Sequence, residues 1–159
     1  MKVGWAPWRI RYILGKKERG CIFCNRVRRR KRGDYILHRG AKNFVIMNAF
    51  PYNNGHLMVV PYRHTGRLEA LGEAEAVEMH ALVKQSVMAL RRALKPEGFN
   101  IGMNVGRPAG AGITDHLHMH VVPRWTADTN FMPVLGETRF MVEYLEATYR
   151  RLKKAWRTK

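Results

Sequence analysis

His116-Leu117-His118-Met119-His120 places an imidazole at every second residue. In extended backbone alternate side chains face opposite sides, so the spacing predicts three imidazoles on one face of a strand over Leu117–Val122, with Leu117, Met119 and Val121 turned to the core. Neighbouring rings would stand roughly 6.6–7 Å apart, close enough to act on adjacent atoms of one substrate and too far to bond each other directly. A neutral imidazole near pH 7 can attack an electrophile, move a proton or ligate a metal. A solvated strand face is more cheaply built from Thr, Lys or Glu, so the run points to chemistry, with an open histidine metal site as the competing use. Cys21-Ile22-Phe23-Cys24 supplies the sequence's two cysteines. In a reducing compartment such a pair is more often a metal or redox pair than a structural disulfide.

The elements that must position these groups read as follows. Tyr35–Leu37, Phe44–Met47 and His56–Val60 are short β-rich runs, separated by Gly40 and by the turn-forming Pro51-Tyr52-Asn53-Asn54-Gly55. Glu73–Leu94 lacks Pro and Gly, and His80, Val83, Val87, Leu90 and Leu94 recur at steps of three and four, which predicts a helix with one buried stripe, ended by Lys95-Pro96-Glu97-Gly98. Phe99–Val105 and Leu117–Val122 complete a sheet of about five strands, joined through Gly-rich Arg107–Gly112, whose amides can approach an anion. Glu137–Ala155 reads as a second helix. Strands and helices that do not alternate predict an α+β fold.

With 159 residues, 46% hydrophobic and 26% charged, the sequence suits one globular domain and excludes wholesale disorder. The 29 Lys+Arg against 12 Asp+Glu give a formal +17, a field that favours polyanions. No apolar run approaches a membrane span, and Met1–Gly15 carries Trp5, Pro7, Trp8 and several Arg in place of an apolar leader, so the expectation is a cytoplasmic protein without a membrane partner. The basic clusters Arg26–Arg32 and Arg150–Lys159 suit either steering of an anionic substrate or a nucleic-acid-binding module, for which no reading motif is present.

His116-x-His118-x-His120, followed by Val121-Val122-Pro123, resembles the histidine triad family of nucleotide hydrolases and transferases. Met47–Pro61, with Asn48 eight residues before His56, is similar to the family's ribose-binding strand, turn and Gly-His strand. The resemblance runs from about Trp5 to Thr138. Trp5–Arg9, Gly110–His116, Pro123–Trp125 and Asn130–Val134 resemble the bacterial diadenosine tetraphosphate phosphorylase branch.

The resemblance implies one domain over residues 1–159, with an arm over 1–34, a catalytic core over 35–123 and a C-terminal loop and helix over 124–159. It implies a homodimer through the long helix and a strand edge. His118 would be the nucleophile, forming a covalent AMP-histidine; His120 would hydrogen-bond phosphoryl oxygens, and His116 and His56 would complete and orient the catalytic group. Asn48, Asn104, Ala111, Gly112 and Trp125 would contact nucleotide or phosphate, although Asn104 also suits a strand end and Trp125 simple packing. Most family members carry Gly-Gln-Ser/Thr-Val before the triad, whereas this sequence has Ala111-Gly112-Ile113-Thr114-Asp115. The open space at Gly112 favours inorganic phosphate as acceptor, giving ADP and ATP from diadenosine tetraphosphate; the alternative is a hydrolase or phosphoramidase that uses water. Cys21, Cys24, His64 and His116 match the ligands of a structural zinc in zinc-containing relatives.

Overall fold

The computed structural model describes residues 20–29, 33–126, 128 and 141–158. The motifs at Trp5–Arg9 and Asn130–Val134, together with residues 30–32 and 137–140, lie outside the described residues. Five strands, β1 (Ile36–Arg39), β2 (Asn43–Met47), β3 (Leu57–Pro61), β4 (Gly98–Gly102) and β5 (Met119–Arg124), form one antiparallel sheet in the order β1-β2-β3-β5-β4. Among the described residues three α-helices accompany it: α1 (Ile22–Arg29), α2 (Glu73–Leu94) and α3 (Leu145–Arg157).

The sheet separates two apolar layers. Val45, Met47, Leu57, Val59 and Val121 pack against Met79, Leu82, Val83 and Leu90 of α2 and Leu152 of α3. On the other face Phe44, Ile46, Met58 and Val60 pack against Phe23 of α1. His120 lies directly opposite Met58 across the β3–β5 ladder, which puts its imidazole on the α1 face, away from α2 and α3.

Helix α2 has the expected ends. Gly72 donates its N–H to Glu75 Oε2 at 2.8 Å, and Lys95 ends the helix in the left-handed region at φ 50°. Its buried stripe is Met79, Leu82, Val83, Ser86, Ala89 and Leu90. His80 is exposed, one position off the stripe expected of it. Helix α3 begins at Leu145, and residues 141–144, inside the expected Glu137–Ala155 span, are not helical. The stripe that meets the core, Leu145, Thr148, Tyr149, Leu152 and Trp156, starts only there, and Glu143 reaches forward to Thr148 Oγ1 at 2.6 Å and Arg151 at 2.7 Å. Strand β4 stops at Gly102, where its ladder to β5 ends at His120, short of the expected Val105.

Strand β5 starts two residues later than the triad spacing suggests. Leu117 donates its N–H to Thr65 O at 2.7 Å, so the segment before Met119 pairs with the loop after β3 and not with the sheet. Gly66 makes this approach possible: a Cβ there would stand 2.3 Å from Thr114 O. Gly55 does the equivalent work in the turn before β3, at φ +79° with Leu94 Cδ1 2.5 Å from any added Cβ.

Candidate active site and metal centre

The three triad imidazoles do not form a row on one strand face. Only His120 lies in β5; His118 just precedes it, and His116 sits in the bend before Leu117. Ring centroids of His118 and His120 are 4.8 Å apart and nearly perpendicular, closer than the expected spacing. His116 turns its ring toward the cysteines instead.

His56 is fully buried and sits at the centre of a chain of hydrogen bonds. The Tyr52 backbone N–H donates to His56 Nδ1 at 3.0 Å, and Asn48 Nδ2 approaches the same atom at 3.3 Å. With Nδ1 an acceptor, neutral His56 carries its proton on Nε2 and donates to His120 Nδ1 at 2.9 Å. That bond in turn fixes the proton of His120 on Nε2, a buried atom with no hydrogen-bond partner among the described residues. An unpaired buried donor is costly, so its direction marks where an oxygen acceptor belongs. Burial, then the neighbouring His120 and His118 charges, lower the His56 pKa to about 3; burial, then His118, lower that of His120 to about 4. Both rings are therefore neutral at physiological pH.

His118 donates from Nδ1 to the His116 carbonyl oxygen at 2.9 Å, which leaves the lone pair on Nε2 for attack. Burial lowers its pKa, opposed by that carbonyl bond, and so favours the nucleophilic form. Phe23, 1% exposed, packs in the layer on the α1 face of the sheet with its ring 5.2 Å from His118 and 5.3 Å from His116. Tyr52 lies over the relay, 4.7 Å from His56 and 5.4 Å from His120. Asp128 joins the Tyr52 turn to β5: it accepts from Asn53 Nδ2 at 2.7 Å, from Arg124 at 2.6–2.7 Å and from the Trp125 N–H at 3.0 Å. Sequence reasoning missed all three. The aromatic between the two cysteines was the available signal for Phe23; nothing local marks Asp128.

Of the remaining expected residues, Asn48 is drawn into the relay, its Oδ1 accepting from the Phe50 N–H at 2.9 Å. The Ala111 N–H is directed to Gly106 O at 3.3 Å, which removes it as an obvious anion donor. Gly112 has nothing within 4 Å of an added Cβ, so the space beside it is open. Asn104 is half-buried with Nδ2 beside Gly110, and Trp125 is half-buried just past β5.

The second constellation joins Cys21, Cys24, His64 and His116, whose donor atoms all lie within 4.8 Å of one another. His116 Nδ1 is 3.2 Å from Cys21 Sγ, 3.7 Å from Cys24 Sγ and 3.2 Å from His64 Nδ1; Cys24 Sγ is 3.6 Å from His64 Nδ1. Ligand bonds of about 2.0–2.3 Å arranged tetrahedrally have edges of about 3.3–3.8 Å, which these separations approximate. His116 donates Nε2–H to Pro61 O at 2.8 Å, so its Nδ1 lone pair faces the cluster in the tautomer a metal ligand needs. The four residues could thus hold a metal ion. Both His116 nitrogens being engaged, its service to His118 is through the backbone carbonyl and not through its ring.

A five-stranded antiparallel sheet with imidazoles grouped at the start of one central strand defines an α+β protein with a histidine-lined site. The HIT domain family model matches residues 31–127, and the chain belongs to that histidine triad family. A Mycobacterium tuberculosis protein named AP-4-A phosphorylase is 40% identical over 121 residues, covering 76% of this chain and 62% of its own length; the chain thus spans less than two thirds of that relative. An uncharacterized HIT-like protein of Saccharolobus solfataricus is 32% identical over 130 residues, 79% of this chain and 92% of that protein. The crystal structure of a Zn-bound histidine triad family protein from Mycobacterium smegmatis is 28% identical and superposes with a TM-score of 0.71, covering 86% of this chain and 93% of that one. Among the described residues no helix is long and apolar enough to cross a membrane.

Proposed function

We propose that the chain is a nucleotidyl-transferring enzyme that splits dinucleoside polyphosphates through a covalent nucleotidyl-histidine on His118, with inorganic phosphate as acceptor. One pairing carries this reading: a lone pair on His118 Nε2 beside a buried, unpartnered N–H on His120 Nε2. The relative named AP-4-A phosphorylase supports diadenosine tetraphosphate as the substrate.

His118 Nε2 attacks the α-phosphorus; the N–P bond forms as the P–O bond to the bridging oxygen breaks, and its electron pair leaves with ATP. The His116 carbonyl stabilises the positive charge on the His118 Nδ1–H, while His120 donates Nε2–H to a phosphoryl oxygen. A phosphate oxygen then attacks the same phosphorus, the N–P electron pair returns to Nε2, and ADP leaves. Trp125 and Asn104 are the proposed nucleotide and phosphate contacts, with Gly112 leaving room for the acceptor.

Cys21, Cys24, His64 and His116 would hold zinc, whose thiolate-rich, four-protein-ligand set is suited to structure and not to catalysis. The reading extends to one domain over the whole chain, a protein of the reducing cytoplasm, and a homodimer formed through α2 and the β4 edge, where Met88 and Ile101 are exposed.

The test is product analysis with diadenosine tetraphosphate. ADP plus ATP, with ADP rising with phosphate concentration, is the expected result; AMP plus ATP at a rate indifferent to phosphate would instead establish hydrolysis by water. Filling the open space with Gly112→Gln should shift product from ADP toward AMP.

A further inference from the structure

The formal +17 is far more than a tetraphosphate-binding pocket needs, and part of it is concentrated away from that pocket. Helix α3 packs on α2 and β1, in the layer opposite the imidazoles. Its outer surface carries Arg150, Lys153, Lys154 and Arg157 at helical steps of three and four, so one ridge presents all four over about 10 Å. These residues, with Tyr149 and Thr158, line a surface hollow of about 410 Å³. Arg39, on the neighbouring edge strand, lies near enough to act on the Lys153 charge, as does Arg157.

The ridge is not neutralised from within the fold. Arg151 is the α3 cation that pairs with a carboxylate, Glu143, whereas Arg150, Lys154 and Arg157 have no ion pair among the described residues. Glu146, in the first turn, and Asp34 are the acids that act on Tyr149 at the edge of the hollow, and the Glu146 backbone carbonyl receives Arg150 Nε at 3.4 Å. Lys153 is held over the sheet edge by donating to Ile36 O at 3.2 Å and Leu37 O at 2.6 Å, and burial, then the Arg157 and Arg39 charges, push its pKa down. Unpaired like charges held this close are destabilising by themselves and complement an external polyanion.

We infer that the outer face of α3, with Arg39 at its edge, is a docking surface for the phosphate backbone of duplex nucleic acid, separate from the nucleotide site. Two observations choose this occupant. A membrane-surface helix needs a free apolar face, but here Thr148, Tyr149, Leu152 and Trp156 are turned into the protein. Single-strand binders need aromatic platforms for the bases, whereas Tyr149 is engaged with Tyr35 and by its hydroxyl to Ile36 O, and Trp156 is stacked on His38 at 5.3 Å. What is left is a row of cations, which suits the dense charge of a duplex and releases counterions without reading sequence.

The experiment is fluorescence anisotropy of the full chain with a short labelled DNA duplex, with its single strand, and with phosphatidylglycerol vesicles, across about 50–200 mM salt. The expected result is sequence-independent duplex binding that weakens steeply with salt. The triple variant Arg150→Gln, Lys154→Gln, Arg157→Gln should bind at least about tenfold more weakly, with the log–log salt slope reduced by about 2.7 for three lost phosphate contacts. Gln keeps helix propensity, and the charge-preserving Arg150→Lys, Arg157→Lys protein should retain binding. Diadenosine tetraphosphate turnover by the triple variant should be unchanged, which separates this surface from the histidine site. An unaltered affinity or slope in the triple variant overturns the inference, as does equal or tighter binding to the single strand, or binding to vesicles without binding to the duplex.

Discussion

The two flanks of His118 are built from similar imidazoles by different means. On one side His116 is placed by pieces distant in sequence: the cysteines entering α1, His64 after β3, and Pro61 O at the ring's far nitrogen. On the other side His56 and His120 are joined across adjacent strands, with the acceptor state of His56 set by a backbone N–H four residues upstream. The first flank is a set of soft donors that an ion can close; the second is closed by hydrogen bonds that the sheet supplies. In the proposed reaction one anchors the nucleophile and the other aims a proton donor, so the two should fail under different insults.

The sharpest break of this comparison removes the group between the flanks. His118→Gly should lower turnover by about 10⁴-fold or more and abolish the adenylyl adduct, while leaving both flanks folded. Intact-mass analysis after brief exposure to diadenosine tetraphosphate checks it; an adduct that persists in the variant would place the covalent link elsewhere.

The metal flank comes next. Cys24→Ser should abolish stoichiometric zinc and make the melting temperature insensitive to a chelator, whereas the parent protein should lose about 4 kcal/mol when free metal falls from a thousand times its dissociation constant to zero. Metal content and chelator-dependent melting decide it. Equal melting of the parent with and without chelator would mean that the four donors do not function as a metal centre.

The relay flank should respond more mildly and in a graded way. His56→Gln can still accept from Tyr52 and donate to His120, so turnover should fall by about tenfold or less; His56→Leu offers neither and should lose about 10²-fold. Both belong in kcat more than in KM if His56, as proposed, acts through its hydrogen bond to His120. Equal losses in the two variants would show that filling the site, and not passing a hydrogen bond, is what His56 contributes.

Much of this division is legible in the sequence. Glu73–Leu94 is readable to both ends because the Pro- and Gly-free run with apolar steps of three and four and the Lys95-Pro96-Glu97-Gly98 stop are local signals. The grouping of Cys21, Cys24, His64 and His116 came through the family resemblance, and their donor atoms do lie together. The common strand face did not survive, because the spacing could not reveal that Leu117 gives its N–H to Thr65 and releases His116 from the ladder. His80 fell outside the buried stripe since a helical period alone does not say which neighbouring stripe meets the sheet. Phe23 and Asp128 act across the tertiary structure, one under the imidazoles and one from the far end of β5, where no periodicity points.

The smallest effect, acid sensitivity, separates the relay from the rest of the fold. An unfolded histidine has a pKa near 6.5, whereas folded His56 and His120 sit at about 3 and about 4. Between those values the unfolded state binds more protons, so stability rises with pH; the contribution is complete above about 6.5 and is lost progressively as pH falls toward the folded values. Each group adds a slope that approaches about 1.4 kcal/mol per pH unit between pH 5 and 6. Urea unfolding of the parent and of His56→Gln at fixed metal concentration isolates one of them, since Gln occupies the site without titrating. The variant's stability should change less steeply with pH by about that amount. Parallel curves would mean that His56 takes up a proton in the folded protein as readily as in the unfolded one, and that the relay is not held neutral by burial.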